Sequence, residues 1–217
     1  MDNQAGARQP YRIVTPPSAA TMACKRAFDI LYSFLGLTVL SPVLLVVSVL
    51  VAVTSPGGVF FRQERIGKDG KPFRIFKFRS MRKDNAGLKI TTGNDSRITP
   101  VGRFLRKSKI DELPQLINVL VGDMSFVGPR PEVADYVNLY TPYQRQVLLV
   151  RPGITGLASI RFRNENDLLT ASDDPNRTYV EQIMPRKIDL DLEYIPHASV
   201  FYDIKLIFQT FAVVIKE

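Results

Sequence analysis

The chain contains no tryptophan, one cysteine and one histidine in 217 residues. A single cysteine, Cys24, excludes an intramolecular disulfide framework and suits a reducing compartment. A single histidine, His197, gives no basis for a histidine metal cluster. Neither a Ser-His-Asp nor a Cys-His arrangement can be built around it. These routes to catalysis are therefore excluded.

Internal repeats and low-complexity tracts are also lacking, and the length suits one domain or slightly more, with enough apolar content for a core. Fifteen prolines make the chain irregular for a helical protein. Several of them fall early, so residues 1–21 are predicted to form a flexible N-terminal extension. We expect a membrane helix over 22–53 and a catalytic domain over 54–217.

The positive charge is concentrated in one region. The net charge is +8, but the segment from Arg62 to Lys109 holds fifteen lysines and arginines against four acidic residues. A block of this kind serves nucleic acid, anionic lipid head groups or a phosphorylated substrate. Taken alone it favours nucleic acid, and the next feature reverses that order.

A long uncharged and mostly apolar run extends over 24 positions from Ile30 to Val53. At about 1.5 Å per residue, a helix of this length crosses a bilayer core of about 30 Å. A single transmembrane helix is one interpretation. A cleaved signal peptide is not favoured, because the run is too long and no small-residue cleavage pattern follows.

Two features favour a re-entrant helix over a spanning one. Ser41-Pro42 lies at the centre of the run, where proline removes a backbone hydrogen bond and predicts a sharp bend. The hydroxyls of Thr38 and Ser41 could satisfy the freed carbonyls. The run is flanked by basic residues on both sides, Lys25-Arg26 before it and Arg62 and Arg65 after it. Positive flanks prefer the cytoplasmic face, so both ends are expected on the same side.

Beyond a break at residues 55–58, Val59 to Phe61 and Phe73 to Phe78 are β-prone and predict a hairpin around a turn at residues 68–71. Residues 83–98 predict a surface loop.

Near the C-terminus an apolar stripe at helical spacing predicts a helix that suits core packing or the head-group layer. Asp203 and Lys205 lie outside this stripe. The stripe comprises Val200, Ile204, Ile207, Phe208, Phe211 and Ile215.

Two adjacent carboxylates, Asp111 and Glu112, precede another apolar stripe. Because Pro114 is tolerated only in a first turn, the helix is predicted to begin near Asp111 and to end at Gly122. The positive end of the helix dipole would then favour the ionised carboxylates. A purely structural alternative is that Asp111 is an N-cap and Glu112 a first-turn acid. The stripe comprises Leu113, Leu116, Ile117, Leu120 and Val121.

Four segments in this order resemble the bacterial sugar transferase family, the small monotopic phosphoglycosyl transferases. The resemblance runs from about Lys25 to the C-terminus. The segments are Lys77-Phe78-Arg79-Ser80-Met81, Asp111-Glu112-Leu113-Pro114-Gln115, Gly122-Asp123-Met124-Ser125-Phe126-Val127-Gly128-Pro129-Arg130-Pro131 and Arg151-Pro152-Gly153-Ile154-Thr155-Gly156.

The resemblance implies an enzyme that transfers sugar 1-phosphate from a UDP-sugar to a polyprenyl phosphate such as undecaprenyl phosphate and releases UMP. This would be the first membrane step of polysaccharide synthesis, at the cytoplasmic face of the bacterial inner membrane. By similarity Asp111 is the nucleophile and forms a phosphosugar-aspartyl intermediate. Glu112 is expected to help hold Mg²⁺. The implied fold is α+β and mostly helical, with a re-entrant membrane helix bent at Ser41-Pro42, a small β-hairpin and amphipathic interfacial helices.

Other positions match basic or acidic residues of the family, and Arg130 is the strongest candidate for a bidentate phosphate contact. The substrate- and phosphate-binding candidates are Lys77, Arg79, Arg106, Arg130, Arg151, Arg163 and Asp191. Membrane lipids are expected partners and nucleic acid is not. The oligomeric state is open, with a homodimer as one expectation.

The chain departs from the family after the Ile-Thr-Gly sequence. Where many members have Trp-Ala-Gln-Val-Asn-Gly-Arg-Asn, residues 157–164 read Leu-Ala-Ser-Ile-Arg-Phe-Arg-Asn, which leaves the sugar open. Two rival functions remain, an inverting glycosyltransferase that releases UDP and a non-enzymatic, membrane-anchored basic binding protein. Product identity separates them.

Overall fold

The structure, a computed structural model, describes residues 13–55, 57–82 and 97–215. The α-helices in this part of the chain are α1 Ala19–Thr54, α2 Pro100–Lys107, α3 Gln115–Val121, α4 Ala134–Val137, α5 Leu157–Arg161, α6 Glu165–Thr170, α7 Pro175–Thr178, α8 Met184–Tyr194 and α9 Val200–Ile215. The strands are β1 Phe60–Ile66, β2 Pro72–Phe78, β3 Ser125–Val127 and β4 Gly153–Thr155. The prediction of an α+β, mostly helical fold is confirmed.

Helix α1 contains the whole apolar run and extends the predicted 22–53 helix by a few residues. Ser18 caps it, with its Oγ accepting a hydrogen bond from Thr21 N at 3.2 Å. By length and composition α1 could cross a membrane, and its most apolar window is only 11% buried. Such exposure of apolar surface is typical of a helix that contacts a membrane or another protein.

The helical pattern of α1 continues through Pro42. Proline has no N–H, so the Thr38 carbonyl four residues earlier loses its usual donor. Ser41 Oγ donates to that Thr38 oxygen at 2.8 Å, and Thr38 Oγ1 donates to Phe34 O at 2.9 Å. The predicted role of the two hydroxyls is confirmed for Ser41, while the sharp bend stays a prediction.

Both halves of α1 pack against the same folded body. In the first half, Asp29 Oδ1 accepts hydrogen bonds from Ser125 Oγ and Phe126 N, each at 3.1 Å. In the second half, Val47 and Val51 are buried in a cluster with Phe78 and Leu105. The middle of the apolar run, by contrast, is largely exposed.

The basic residues before the run are not free flanking charges. Lys25 is buried and pairs with Asp203 of α9, and its Nζ donates to Tyr194 Oη at 3.0 Å. Of the two settings predicted for the α9 stripe, core packing is wrong for Phe208 and Phe211, which are 70% and 61% exposed, while Asp203 faces the core. The head-group layer stays a prediction for these two residues. An ion pair with Lys25 offsets the cost of burying the Asp203 carboxylate, which the apolar pattern could not reveal.

The predicted hairpin is present, with a longer first strand. β1 and β2 pair antiparallel from Phe60–Phe78 to Ile66–Pro72 around a turn at Lys68–Gly70. Asn118 of α3 fastens β2, because its Oδ1 accepts from Phe76 N at 2.8 Å and its Nδ2 donates to Arg74 O at 3.0 Å. Most of the predicted loop at 83–98 lies outside the described residues, and Ile98 bridges to Met81.

A short parallel pair, β3 and β4, positions the Pro129-Arg130-Pro131 loop. Ser125 pairs with Gly153, and Val127 with Thr155. The backbones approach so closely that a Cβ on Gly153 would lie 2.1 Å from Gly128 N, which only glycine avoids. The main core packs behind this pair and includes Ile188 and Leu192 of α8.

Candidate active site

The carboxylate pair lies in a single turn of 3₁₀-helix, Ile110–Glu112, and not in the first turn of α3. α3 begins later than predicted, at Gln115. Pro114 has no N–H to bond four residues back, and Leu116 N and Ile117 N bond three residues back, to the Leu113 and Pro114 carbonyls. The pair therefore precedes the helix and does not belong to it.

Lys109 makes this turn possible through an unusual backbone conformation. Its φ is 57°, in the left-handed region that few residues other than glycine adopt. The Lys109 carbonyl accepts from Glu112 N at 3.1 Å. The reversal after α2 turns the chain so that Asp111 faces inward.

Asp111 is a buried carboxylate held in an unfavourable environment. It is 7% exposed, and its Oδ1 has no hydrogen-bond partner among the described residues. Burial, followed by the negative charge of Glu112, raises the pKa of Asp111 to about 6, against the opposing effect of Lys77, Arg106 and Lys109. The prediction that a helix dipole favours its ionised form is wrong, because desolvation outweighs the cations.

The pKa of Glu112, the next residue in the chain, is shifted in the opposite direction. Lys77 Nζ donates to Glu112 Oε1 at 2.7 Å, and Arg130 Nη2 lies 3.6 Å from the same oxygen. Burial by itself would raise the pKa of Glu112, but these two cations outweigh it and hold that pKa well below its usual range. The fold thus brings together Lys77 from β2, Arg130 from the loop after β3, and the acid pair.

Arg106, on α2, completes the set of predicted residues around Asp111, since its charge lowers the pKa of that carboxyl. Its Nη1 lies 3.5 Å from Met81 Sδ. Lys109 belongs to the same group but was not among the predicted site residues. Its only signal in the sequence is a basic residue two positions before the acid.

Three predicted arginines have hydrogen-bond partners away from the acid pair. Arg79 Nη2 donates to Phe60 O at 3.1 Å, on the hairpin. Arg151 Nε donates to Gly122 O at 2.8 Å, at the end of α3 opposite to Asp111. Arg163 is exposed after α5, where its Nε donates to Asn164 Oδ1 at 3.2 Å. Motif membership could not distinguish these positions from Arg130.

Asp191, on α8, lies behind the Arg130 loop. Burial raises its pKa to about 8, while Lys187 and the backbone N–H groups of Ala158 and Arg130, which face the carboxylate, act in the other direction. We interpret Asp191 as a support for the loop backbone that carries Arg130.

A second group around the same loop was missed by sequence reasoning. Glu132 accepts a hydrogen bond from Tyr179 Oη and lies 3.7 Å from Arg65 Nη1. Arg65 Nη1 also donates to Pro131 O at 3.2 Å. Glu132 could have been noticed because it follows the Pro-Arg-Pro motif directly, whereas Tyr179 lies in a segment without any motif.

The donors at the site suit a hard divalent cation that is shared with a substrate. Asp111 and Glu112 offer carboxylate oxygens, and the buried Oδ1 of Asp111 lacks a partner among the described residues. The described part of the chain contains no group of three or more His, Cys, Asp or Glu able to hold a metal alone. Mg²⁺ typically binds through one or two carboxylates and completes its shell with phosphates and water, so these residues fit it.

A buried carboxylate beside a second acid and several cations is the arrangement expected of a group that attacks a phosphate. Residues 20–217 match the model of the bacterial sugar transferase family, and the chain belongs to that family. The resemblance inferred from the motifs is confirmed.

Three relatives illustrate the range of the family. A UDP-glucose:undecaprenyl-phosphate glucose-1-phosphate transferase of Escherichia coli (strain K12) is 44% identical over 202 residues, which cover 90% of this chain and 41% of that protein. A UDP-N-acetylgalactosamine-undecaprenyl-phosphate N-acetylgalactosaminephosphotransferase of Aeromonas hydrophila is 38% identical, with 89% and 44% covered. The exopolysaccharide production protein PSS of Rhizobium leguminosarum bv. phaseoli is 41% identical, with 87% and 94% covered. The chain thus spans less than half the length of the first two and nearly all of the third.

Proposed function

We propose that this protein transfers sugar 1-phosphate from a UDP-sugar to undecaprenyl phosphate and releases UMP. The observation that carries the proposal is the paired environment of Asp111 and Glu112. One carboxylate is buried with an oxygen lacking a partner in the described structure, and its neighbour is held ionised by Lys77 and Arg130. The names of the E. coli and Aeromonas relatives support both substrates.

In the first step an Asp111 carboxylate oxygen attacks the phosphorus next to the sugar. The new oxygen–phosphorus bond forms as the bond to the UMP oxygen breaks, and UMP leaves with the electron pair. Arg130 and Lys77 lie where they can offset charge on the phosphoryl oxygens. In the second step an oxygen of the lipid phosphate attacks the same phosphorus, and the Asp111 carboxylate is released.

Mg²⁺ is part of the proposal, with Glu112 and Asp111 as the protein ligands. When bound, it would neutralise charge on the phosphate oxygens. Binding of Mn²⁺, measured by electron paramagnetic resonance without any substrate, provides a test independent of turnover. We expect Glu112→Gln to weaken it, while unchanged binding would remove Glu112 as a ligand.

Helix α1 supports the membrane setting of the proposal. Its two halves pack on one folded body, which is easier to reconcile with both ends on one side of a bilayer than with a span between two sides. We place the catalytic domain at the cytoplasmic face of the bacterial inner membrane, where a nucleotide sugar from the cytosol and a lipid phosphate can both reach Asp111.

Product analysis tests the proposal and separates its rivals. Purified protein with UDP-sugars, undecaprenyl phosphate and Mg²⁺ should release UMP, and Asp111→Asn should abolish this release while leaving membrane insertion intact. Release of UDP would indicate an inverting glycosyltransferase, and absence of both nucleotides would indicate a binding protein. UDP-glucose and UDP-N-acetylgalactosamine are the first sugars to test, because the relatives' names contain them.

A further inference from the structure

Arg26 lies on the membrane helix but bonds to the helix that follows the catalytic acids. Its Nη1 donates to Val119 O at 2.6 Å, and its Nη2 donates to Leu120 O at 2.8 Å. These carbonyls belong to the last turn of α3, where the Val119 carbonyl also accepts from Gly122 N at 3.2 Å, just beyond the helix. A guanidinium there adds a donor to each of these two terminal carbonyls and complements the negative end of the helix dipole.

The other end of α3 leads directly to the reacting group. The helix has seven residues, so about 10 Å separates the carbonyls held by Arg26 from the turn that contains Asp111. In between, Gly36 of α1 lies so close to α3 that a Cβ would be 3.3 Å from Leu116 Cδ1. Asn118 ties the same helix to β2, which carries Lys77. A shift of α3 along α1 would therefore move Asp111.

Arg26 lies close to the point at which α1 is expected to enter the bilayer. Arg26 precedes by four residues the uncharged run that begins at Ile30. A residue there is fixed near the membrane surface by the helix that enters the bilayer. The contact with α3 thus fixes the height of the catalytic turn, meaning its distance from the membrane surface along the bilayer normal.

We infer that Arg26 is a positioning residue that sets the height of Asp111 relative to the lipid head groups and so controls transfer to the lipid acceptor. This rests on the proposed function. UDP-sugar arrives from water and can meet Asp111 at any height, whereas the phosphate of the acceptor lipid is confined to the head-group layer. Only the second step should depend on the height.

Measuring the two steps separately tests the inference. With UDP-glucose alone, the enzyme should form the phosphosugar adduct and release one equivalent of UMP. Undecaprenyl phosphate in phosphatidylethanolamine–phosphatidylglycerol vesicles should then discharge the adduct. We expect Arg26→Ala to slow discharge by about tenfold or more, as a displacement of about 1 Å can, while adduct formation stays within about twofold.

Arg151→Ala is the matched control, because Arg151 also donates to this end of α3, at Gly122 O, but from the loop before β4. It should affect both steps to a similar extent. Arg26→Lys, which keeps the charge and has a single nitrogen to donate, should show the same selectivity as Arg26→Ala with a smaller effect. It also provides the test if Arg26→Ala does not fold.

A depth measurement supplies a second readout. The chain has no tryptophan, so Phe104→Trp, at an exposed position of α2, introduces a unique fluorophore close to the site. Quenching by lipids brominated at different acyl positions should change when Arg26→Ala is added, and not when Arg151→Ala is added. The inference requires both the selective loss of discharge and the altered quenching profile.

Equal loss of both steps in the Arg26 variants, no loss in either step, or an unchanged quenching profile would overturn the inference. If the unsubstituted protein forms no adduct and releases no UMP, the proposed function fails instead, so the two failures are distinguishable.

Discussion

Asp111 and Glu112 are adjacent in the chain but have opposite relations to the stability of the fold. The pKa of Asp111 is raised, so its ionisation opposes folding, whereas the pKa of Glu112 is lowered, so its ionisation favours folding. A carboxyl group whose ionisation is unfavourable thus lies beside one whose ionisation is favoured, which suits the roles proposed for Asp111 and Glu112. The difference arises from the neighbouring cations, because Lys77 forms an ion pair with Glu112 and Arg130 lies close to the same carboxylate.

This difference predicts how Asp111→Asn changes the free energy of unfolding with pH. The Asp111 penalty is absent below its unfolded pKa of 3.8, grows as pH rises to about 6 and is complete above that value. A shift of about two units corresponds to about 3 kcal/mol. Asp111→Asn should therefore be more stable than the natural protein at pH 8 by up to this amount, with little gain at pH 4.

Glu112→Gln is the matched variant and should behave in the opposite sense. The contribution of Glu112 is present above its unfolded pKa of 4.5 and is lost as pH falls, so the variant should be less stable at pH 8. Chemical denaturation in detergent at several pH values measures both. Loss of stability in Asp111→Asn at pH 8 would contradict the strained state assigned to Asp111.

A second prediction at the residue scale concerns the acid limb of activity. In the proposed mechanism attack requires ionised Asp111, so the rate of adduct formation should rise with pH through about 6. Lys109 lowers the pKa of Asp111, so removing its charge should move the limb to higher pH. Lys109→Asn removes the charge and still tolerates positive φ, while Lys109→Arg keeps the charge. Coincident pH profiles for the two variants would contradict this role.

At the scale of elements, topology labelling can test whether Ser41 and Pro42 keep both ends of α1 on one side of the membrane. Pro42→Ala restores the donor for Thr38 O, so the Ser41→Ala, Pro42→Ala double variant should straighten the helix toward a span. Cys24 is the only cysteine, is exposed and precedes the apolar run, so it reports the side directly. Impermeant maleimide should label it from the cytoplasmic side in the natural protein and from the opposite side in the variant.

Ser48→Ala is a suitable control for this experiment. Ser48 Oγ donates to Leu44 O at 2.6 Å, at a carbonyl whose helical partner is not a proline. Its removal should leave the topology unchanged. If Cys24 of the double variant is still labelled from the cytoplasmic side, proline is not what keeps both ends of the helix together.

The elements also show where pattern reading succeeds. The apolar run and the hairpin were predictable because each has an uninterrupted local signal. The start of α3 was misplaced, since the left-handed Lys109 and the missing N–H of Pro114 delay the helix. The burial of Asp203 on α9 was missed because the partner that permits it is Lys25, 178 residues away in the chain.

At the scale of the whole molecule, the motifs predicted some of the residues that meet at the acid pair and included others that lie elsewhere. Lys77, Arg106 and Arg130 converge on the acid pair, as the resemblance implied. Arg151 instead caps the far end of α3. A single sequence does not contain the distances that separate these cases, because they are set by the close approach of β3 and β4 and by the packing of α1 on α3.

Intact-protein mass spectrometry tests the central claim most directly. The enzyme is mixed with UDP-glucose and Mg²⁺ in the absence of lipid acceptor, and fragmentation then locates any added mass. The account predicts an added hexose phosphate on Asp111 that disappears when undecaprenyl phosphate is supplied and is absent in Asp111→Asn. UMP release at a normal rate in Asp111→Asn, or an adduct on another residue, would contradict it.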